Sequence, residues 1–116
     1  MHELSLAGAV IDTAERHAGG RRVLAVRLRL GELRQVVPDS LAFYFGHVAR
    51  GTLCEGAVLE HEVVRAELTC AGCDARFGLD GASFRCPRCG SADVAIESGN
   101  EFEVESIEVE EPACTG

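Results

Sequence analysis

The chain has 116 residues, 47% hydrophobic, 26% charged and 5% aromatic, with nineteen acidic residues against eleven basic ones and a net charge of −8. That length suits one domain with at most a small appendage and excludes a large multidomain assembly. All eleven basic residues are arginine, and a chain this acidic is a poor match for nucleic acid, whose non-specific affinity comes from phosphate neutralisation.

Residues 4–11 form the longest early apolar stretch, too short to span a bilayer and without the basic flank of a secretion signal. No membrane association is expected, and the protein reads as cytoplasmic. Leu4, Ala7, Ile11 and Ala14 fall at helical spacing, and Gly19-Gly20 closes this first helix. From 22 to 30 the period changes to two. Leu24, Val26, Leu28 and Leu30 share one face, and Val23, Ala25, Arg27 and Arg29 the other, which predicts a half-buried strand. Pro38-Asp39-Ser40 opens a second helix with Leu41, Phe45 and Val48 on its buried side. Its Phe43, Tyr44 and Phe45 are expected to form much of the core. A second strand is predicted over 57–64.

Residues 67–96 differ in kind: glycine, cysteine and turn residues dominate, and little apolar surface is left to bury. Such a segment needs a staple to fold. A last strand runs over 102–109, with a slip from Phe102/Val104 to Ile107/Val109 that predicts a bulge. Its acidic residues predict pairing beside Arg27 and Arg29 of the first strand, since opposite charges across strands attract. The fold class is therefore α+β: a small three-stranded sheet with two helices, over 1–66 and 97–116, plus an inserted four-cysteine, zinc-ribbon-like module over 67–96.

Cys70-Ala71-Gly72-Cys73 and Cys86-Pro87-Arg88-Cys89 are two Cys-x-x-Cys pairs separated by twelve residues. Each pair can turn two thiolates toward one point, and four thiolates make a closed tetrahedral Zn(II) site. Gly72 and Gly90 are expected to supply the backbone freedom of the two turns. Two disulfides, a rubredoxin-like iron and free thiols are the competing readings, and a reducing compartment favours zinc. Four sulfur ligands leave no position for a reactive water, so the zinc reads as structural. Cys54 reads as a small apolar filler and Cys114 as a free thiol in the tail.

Met1-His2-Glu3 carries the second piece of metal chemistry. With the methionine retained, the Met1 amine, the His2 amide nitrogen and the His2 imidazole can close fused chelate rings around a planar Ni(II) or Cu(II) ion. Glu3 is the nearest fourth ligand, with Asp39 and Ser40 as further candidates. His17, His47 and His61 show no metal-ligand spacing.

Together, the opening Met-His-Glu-Leu-Ser-Leu, the helix entered through Val37-Pro38-Asp39-Ser40-Leu41, Gly51-Thr52, the paired Cys-x-x-Cys and Gly99-Asn100-Glu101 resemble the HypA family, nickel metallochaperones of hydrogenase maturation. The resemblance covers nearly the whole chain. It implies Ni(II) as transported cargo at Met1 and His2 with Glu3 close by, and structural Zn(II) at Cys70, Cys73, Cys86 and Cys89. It implies delivery to the [NiFe] hydrogenase large subunit with a HypB-type GTPase, and urease maturation proteins as further partners in some members. The resemblance offers a second-helix carboxylate as an alternative to Glu3 for the fourth nickel ligand; this chain has Asp39 followed by Ser40 there, so the fourth ligand stays open between them. A carrier rather than an enzyme is expected, as a monomer or weak homodimer. The competing class is a zinc-ribbon adaptor binding nucleic acid or another protein.

Overall fold

The computed structural model describes residues 2–79 and 84–111, and of His2 the backbone alone. Met1, the His2 side chain and Cys114 therefore lie outside the described residues. The elements are α1 (His2–Ala18), β1 (Val23–Gly31), a 3-10 turn (Glu32–Arg34), α2 (Pro38–Val48), β2 (Val58–Val64), β3 (Glu67–Cys70), β4 (Arg76–Phe77), β5 (Val94–Ser98) and β6 (Phe102–Val109). They form two sheets, ordered β2-β1-β6 and β4-β3-β5, in the α+β class that the sequence predicts. The chain divides into two compact units.

The first unit comprises 2–29, 36–62 and 103–111. In α1 the buried residues are Ala7, Val10, Ile11, Ala14 and Ala18, the apolar stripe of an amphipathic helix. Leu4, expected on that stripe, is 47% exposed instead. Pro38 occupies the first turn of α2, where its missing N–H leaves no bond unmade. The helices pack together and run in the same direction. At one end the Glu3 carboxylate accepts the Val37 N–H at 3.4 Å, and at the other Glu15 accepts the Leu53 N–H at 3.1 Å. Of the three aromatics expected in the core only Phe45 is buried, while Phe43 is 61% exposed. At about 100° per residue, Phe43 and Phe45 point to opposite sides of one helix.

Strand β1 is central in its sheet and buries Val26, Leu28 and Leu30 on one face. Its start departs from the expected alternation. Val23, held by an N–H bond to the Leu53 carbonyl (2.8 Å), is buried, and Leu24 is exposed. On the other face the predicted ladder is present: Arg27 meets Glu105 at 3.0 Å and Arg29 meets Glu103 at 2.7 Å. Exposed pairs of this kind contribute a few tenths of a kcal/mol up to about 1 kcal/mol each, so they set register more than stability. The predicted slip in β6 appears as well. Phe102, Val104, Ile107 and Val109 are half-buried, while Glu105 and Ser106 are both exposed.

The second unit comprises Leu30–Gln35, 63–79 and 84–102. Here β3 is flanked by antiparallel β4 and β5, and Leu68, fully buried, pairs with Phe77 on one side and Ile96 on the other. The sequence pattern predicts no strand inside 67–96; these strands run two to five residues, too short to show a period. Glycines let three backbone segments meet. The Leu33 N–H bonds the Gly99 carbonyl at 2.7 Å, and the Glu32 carboxylate accepts the Ala66 N–H at 2.8 Å. A Cβ on Gly99 would stand 2.5 Å from Ala66 Cα, at a φ of +102°. A Cβ on Gly31 would collide with the Gly99 carbonyl. Gly99→Ala and Gly31→Ala are each expected to cost about 3 kcal/mol or more in chemical denaturation of the metal-loaded protein. A loss below about 1 kcal/mol would show that the crossing relaxes freely.

Candidate metal centre

Two turns of the same construction build the site. In the first, Cys70 ends β3, the Asp74 N–H returns to the Cys70 carbonyl at 2.9 Å, and the Cys70 N–H reaches the Ala75 carbonyl at 2.9 Å. In the second, the Gly90 N–H returns to the Cys86 carbonyl at 2.8 Å and the Cys86 N–H reaches the Ser91 carbonyl at 2.9 Å. Each turn needs a left-handed residue directly after its second cysteine. Gly90 supplies it at φ +77° and Asp74 at φ +60°. The expected role of Gly90 is therefore found, whereas Gly72 has no left-handed φ and its place is taken by Asp74, a residue type that tolerates this conformation. Ala71 donates to the Asp93 carbonyl at 2.9 Å, which ties the first turn to the approach of β5.

The four sulfurs converge. All four Sγ atoms lie within 4.8 Å of one another, with Cys70 to Cys89 at 3.5 Å and Cys73 to Cys86 at 3.6 Å. A regular tetrahedron of thiolates with metal–sulfur bonds near 2.3 Å has edges of about 3.8 Å, so the set fits a tetrahedral divalent cation. The separations are far above the roughly 2.05 Å of a disulfide. Cys70 and Cys86 are buried and Cys89 is exposed.

The electrostatics of the bare set also fit a cation. Burial pushes the Cys86 thiol up, but the N–H groups of Cys89 and Arg88, with the Cys73 and Cys89 thiols, pull it down to about 7. At Cys73 the Ala75 N–H pulls down, but burial and the Cys86, Cys70 and Cys89 thiols push it up to about 12. One thiolate thus forms readily and its neighbours resist a second. A divalent ion supplies the positive charge that lets all four ionise.

Among the described residues no other group of three or more His, Cys, Asp or Glu side chains converges as these four do. Cys54 is fully buried, and its thiol is held above the usual range by burial and then by Glu15, as befits an inert core residue. Glu3 is placed at the start of α2 through its bond to Val37, with Asp39 in the first turn of that helix. No described helix is long and apolar enough to cross a membrane.

Fold and centre define a small α+β protein with a closed tetrathiolate metal site on an inserted sheet. A family model described as hydrogenase/urease nickel incorporation, metallochaperone, HypA, matches residues 1–109. The chain is 44% identical over 110 residues to the hydrogenase maturation factor HypA of Geobacter metallireducens, covering 95% of this chain and all of that one. It is 40% identical over 114 residues to the protein of the same name from Desulfitobacterium hafniense, covering 96% and 100%. Among solved structures, the Ni metallochaperone HypA from Helicobacter pylori is similar with a TM-score of 0.68 at 26% identity, over 92% of this chain and 96% of that one. The chain belongs to the HypA family of nickel metallochaperones.

Proposed function

We propose that this chain carries Ni(II) at Met1-His2-Glu3, keeps Zn(II) at Cys70, Cys73, Cys86 and Cys89 for structure alone, and hands its nickel to the [NiFe] hydrogenase large subunit together with a HypB-type GTPase. The two metals then belong to separate parts of the chain: nickel to 1–66 and 97–116, zinc to 67–96. Urease maturation proteins are the second class of recipient, in line with the family description. The observation that carries the reading is the family match from residue 1 onward, joined to a cysteine site that fits a resident ion.

The chemistry separates the two roles. Four thiolates saturate a zinc ion and release it slowly, which suits a staple and not a cargo. An amine, an amide nitrogen and an imidazole at a chain end form a planar nitrogen set that a receiving protein can displace one ligand at a time. The Glu3 bond to the Val37 N–H supports the placement, because it brings Glu3 to the start of α2, whose first turn carries Asp39, a candidate for the remaining ligand. The adaptor reading lacks support of that kind, since net charge and family both point away from nucleic acid.

Complementation tests the role. In a hydrogenase-positive bacterium deleted for its own HypA, this chain is expected to restore nickel-containing hydrogenase at limiting nickel, and His2→Ala to fail at equal protein level. Equal restoration by His2→Ala would refute the carrier reading.

A further inference from the structure

The order β2-β1-β6 leaves the outer edge of β6 without a strand partner among the described residues. A groove of about 290 Å³ lies there, lined by Thr13 and His17 of α1 and by Val104, Glu105, Ser106 and Ile107 of β6. Its walls come from α1 and β6 alone, with no residue of β1 or β2 in the lining, so it lies on the outer side of β6. There the backbone N–H and C=O groups of an end strand are open to pairing.

We propose that the free edge of β6, beside the C-terminal half of α1, takes an extended segment of a partner protein as an additional strand, and that this segment carries arginine or lysine at alternate positions. Its backbone pairs with β6, and main-chain bonds of this kind supply affinity while side chains select the partner. The selection here is electrostatic. Glu103 and Glu105 each meet an arginine of β1, and a carboxylate with two oxygens can serve a second cation on its other side. Glu108 forms no ion pair among the described residues. On the helix side the His17 ring is fixed by its Nδ1 contact with the Thr13 carbonyl at 2.9 Å, so the wall of the groove is already in place. Val104 and Ile107, both half-buried, offer the apolar contacts.

A second copy of this chain is a poor occupant. Pairing β6 with itself sets Glu103, Glu105 and Glu108 against carboxylates, and like charges directly opposite are destabilising. The same acidic row that repels another copy attracts a basic strand.

The test uses the full, zinc-loaded chain and two synthetic peptides, one alternating valine with arginine and one alternating valine with glutamate. The arginine peptide is expected to shift the amide signals of 104–107 and to slow solvent exchange along β6. The glutamate peptide is expected to bind at least about tenfold more weakly. Thr13→Tyr, which fills the groove from the helix and spares β6, is expected to weaken the arginine peptide about tenfold or more. Glu108→Arg is expected to weaken it severalfold. Shifts without slowed exchange along β6, or binding unchanged by Thr13→Tyr, would mean a charged patch only and overturn the proposal. Self-association through β6 without peptide would overturn it too.

Discussion

Stripping the metal from Cys70, Cys73, Cys86 and Cys89 is expected to melt β3, β4 and β5 while α1, α2 and β1 persist. The second unit buries little else. Leu68 and, at the end of β1, Leu30 are its two large buried apolar side chains among the described residues, whereas Phe84 and Ile96 are each 51% exposed. A core that small does not offset the entropy of ordering the surrounding turns, and a tetrathiolate zinc contributes on the order of 10 kcal/mol in comparable small modules. Treatment with a strong chelator at neutral pH should collapse the amide dispersion of 67–79 and 94–98 and leave the helical circular dichroism largely intact. Cys86→Ser should do the same without chelator, with loss of bound zinc. Cys54→Ser serves as the control, because it places a hydroxyl in a fully buried apolar position and costs about 1–3 kcal/mol with zinc retained. A chelated chain that kept the β3–β5 signals would contradict the staple role.

The second large effect falls on nickel. His2→Ala removes the imidazole and should weaken Ni(II) binding about a hundredfold or more, with zinc still at one per chain. A residue added before Met1 removes the amine from its chelating position and should act similarly. Protons compete for the same nitrogens. An ordinary imidazole has a pKa of about 6.5, so affinity is expected to fall as pH drops from about 7.5 toward about 5.5. Glu3→Gln separates two roles for that residue. The amide oxygen can still accept the Val37 N–H, so a tether would leave nickel affinity nearly unchanged, whereas a lost carboxylate ligand would lower it. Titration calorimetry across these variants reads every outcome.

The parts of this fold legible in the sequence are those in which a period extends over several turns or residues. The stripe through Ala7, Ile11 and Ala14, the alternation from Val26 to Leu30 and the slip inside β6 all report a face turned to the core. The Arg27 and Arg29 pairs with β6 are readable because charge complementarity selects neighbours across a sheet. Leu24 and Phe43 show where the reading ends. Leu24 keeps the alternation yet is exposed, because what covers a strand's end is decided by the packing of distant elements, whereas Phe43 falls off the buried side of α2 by the helical period and only its aromatic character suggests the core. Short strands β3 to β5 escape for a related reason: their pairing is dictated by cysteine turns and by the crossing of Gly31 and Gly99, not by a hydrophobic pattern.

The metal centre is legible for a chemical reason. Cys-x-x-Cys fixes two thiolates on one turn whatever the rest of the fold does, and the structure brings both pairs together. The left-handed Asp74 is harder to foresee, because attention falls on glycines, but its position after Cys73 mirrors Gly90 after Cys89 and emerges when the two turns are aligned. Met1 and His2 are a different case. Spacing gives no cluster there, and the chemistry of a chain end joined to a family resemblance carries the reading.

X-ray absorption at the nickel edge, on zinc-replete protein carrying one Ni(II) and an unextended Met1, bears on that reading most directly. A planar shell of nitrogen and oxygen ligands with imidazole scattering, lost in His2→Ala, is the predicted result. A sulfur-rich nickel shell that persists in His2→Ala would put the cargo on the cysteines and contradict the account.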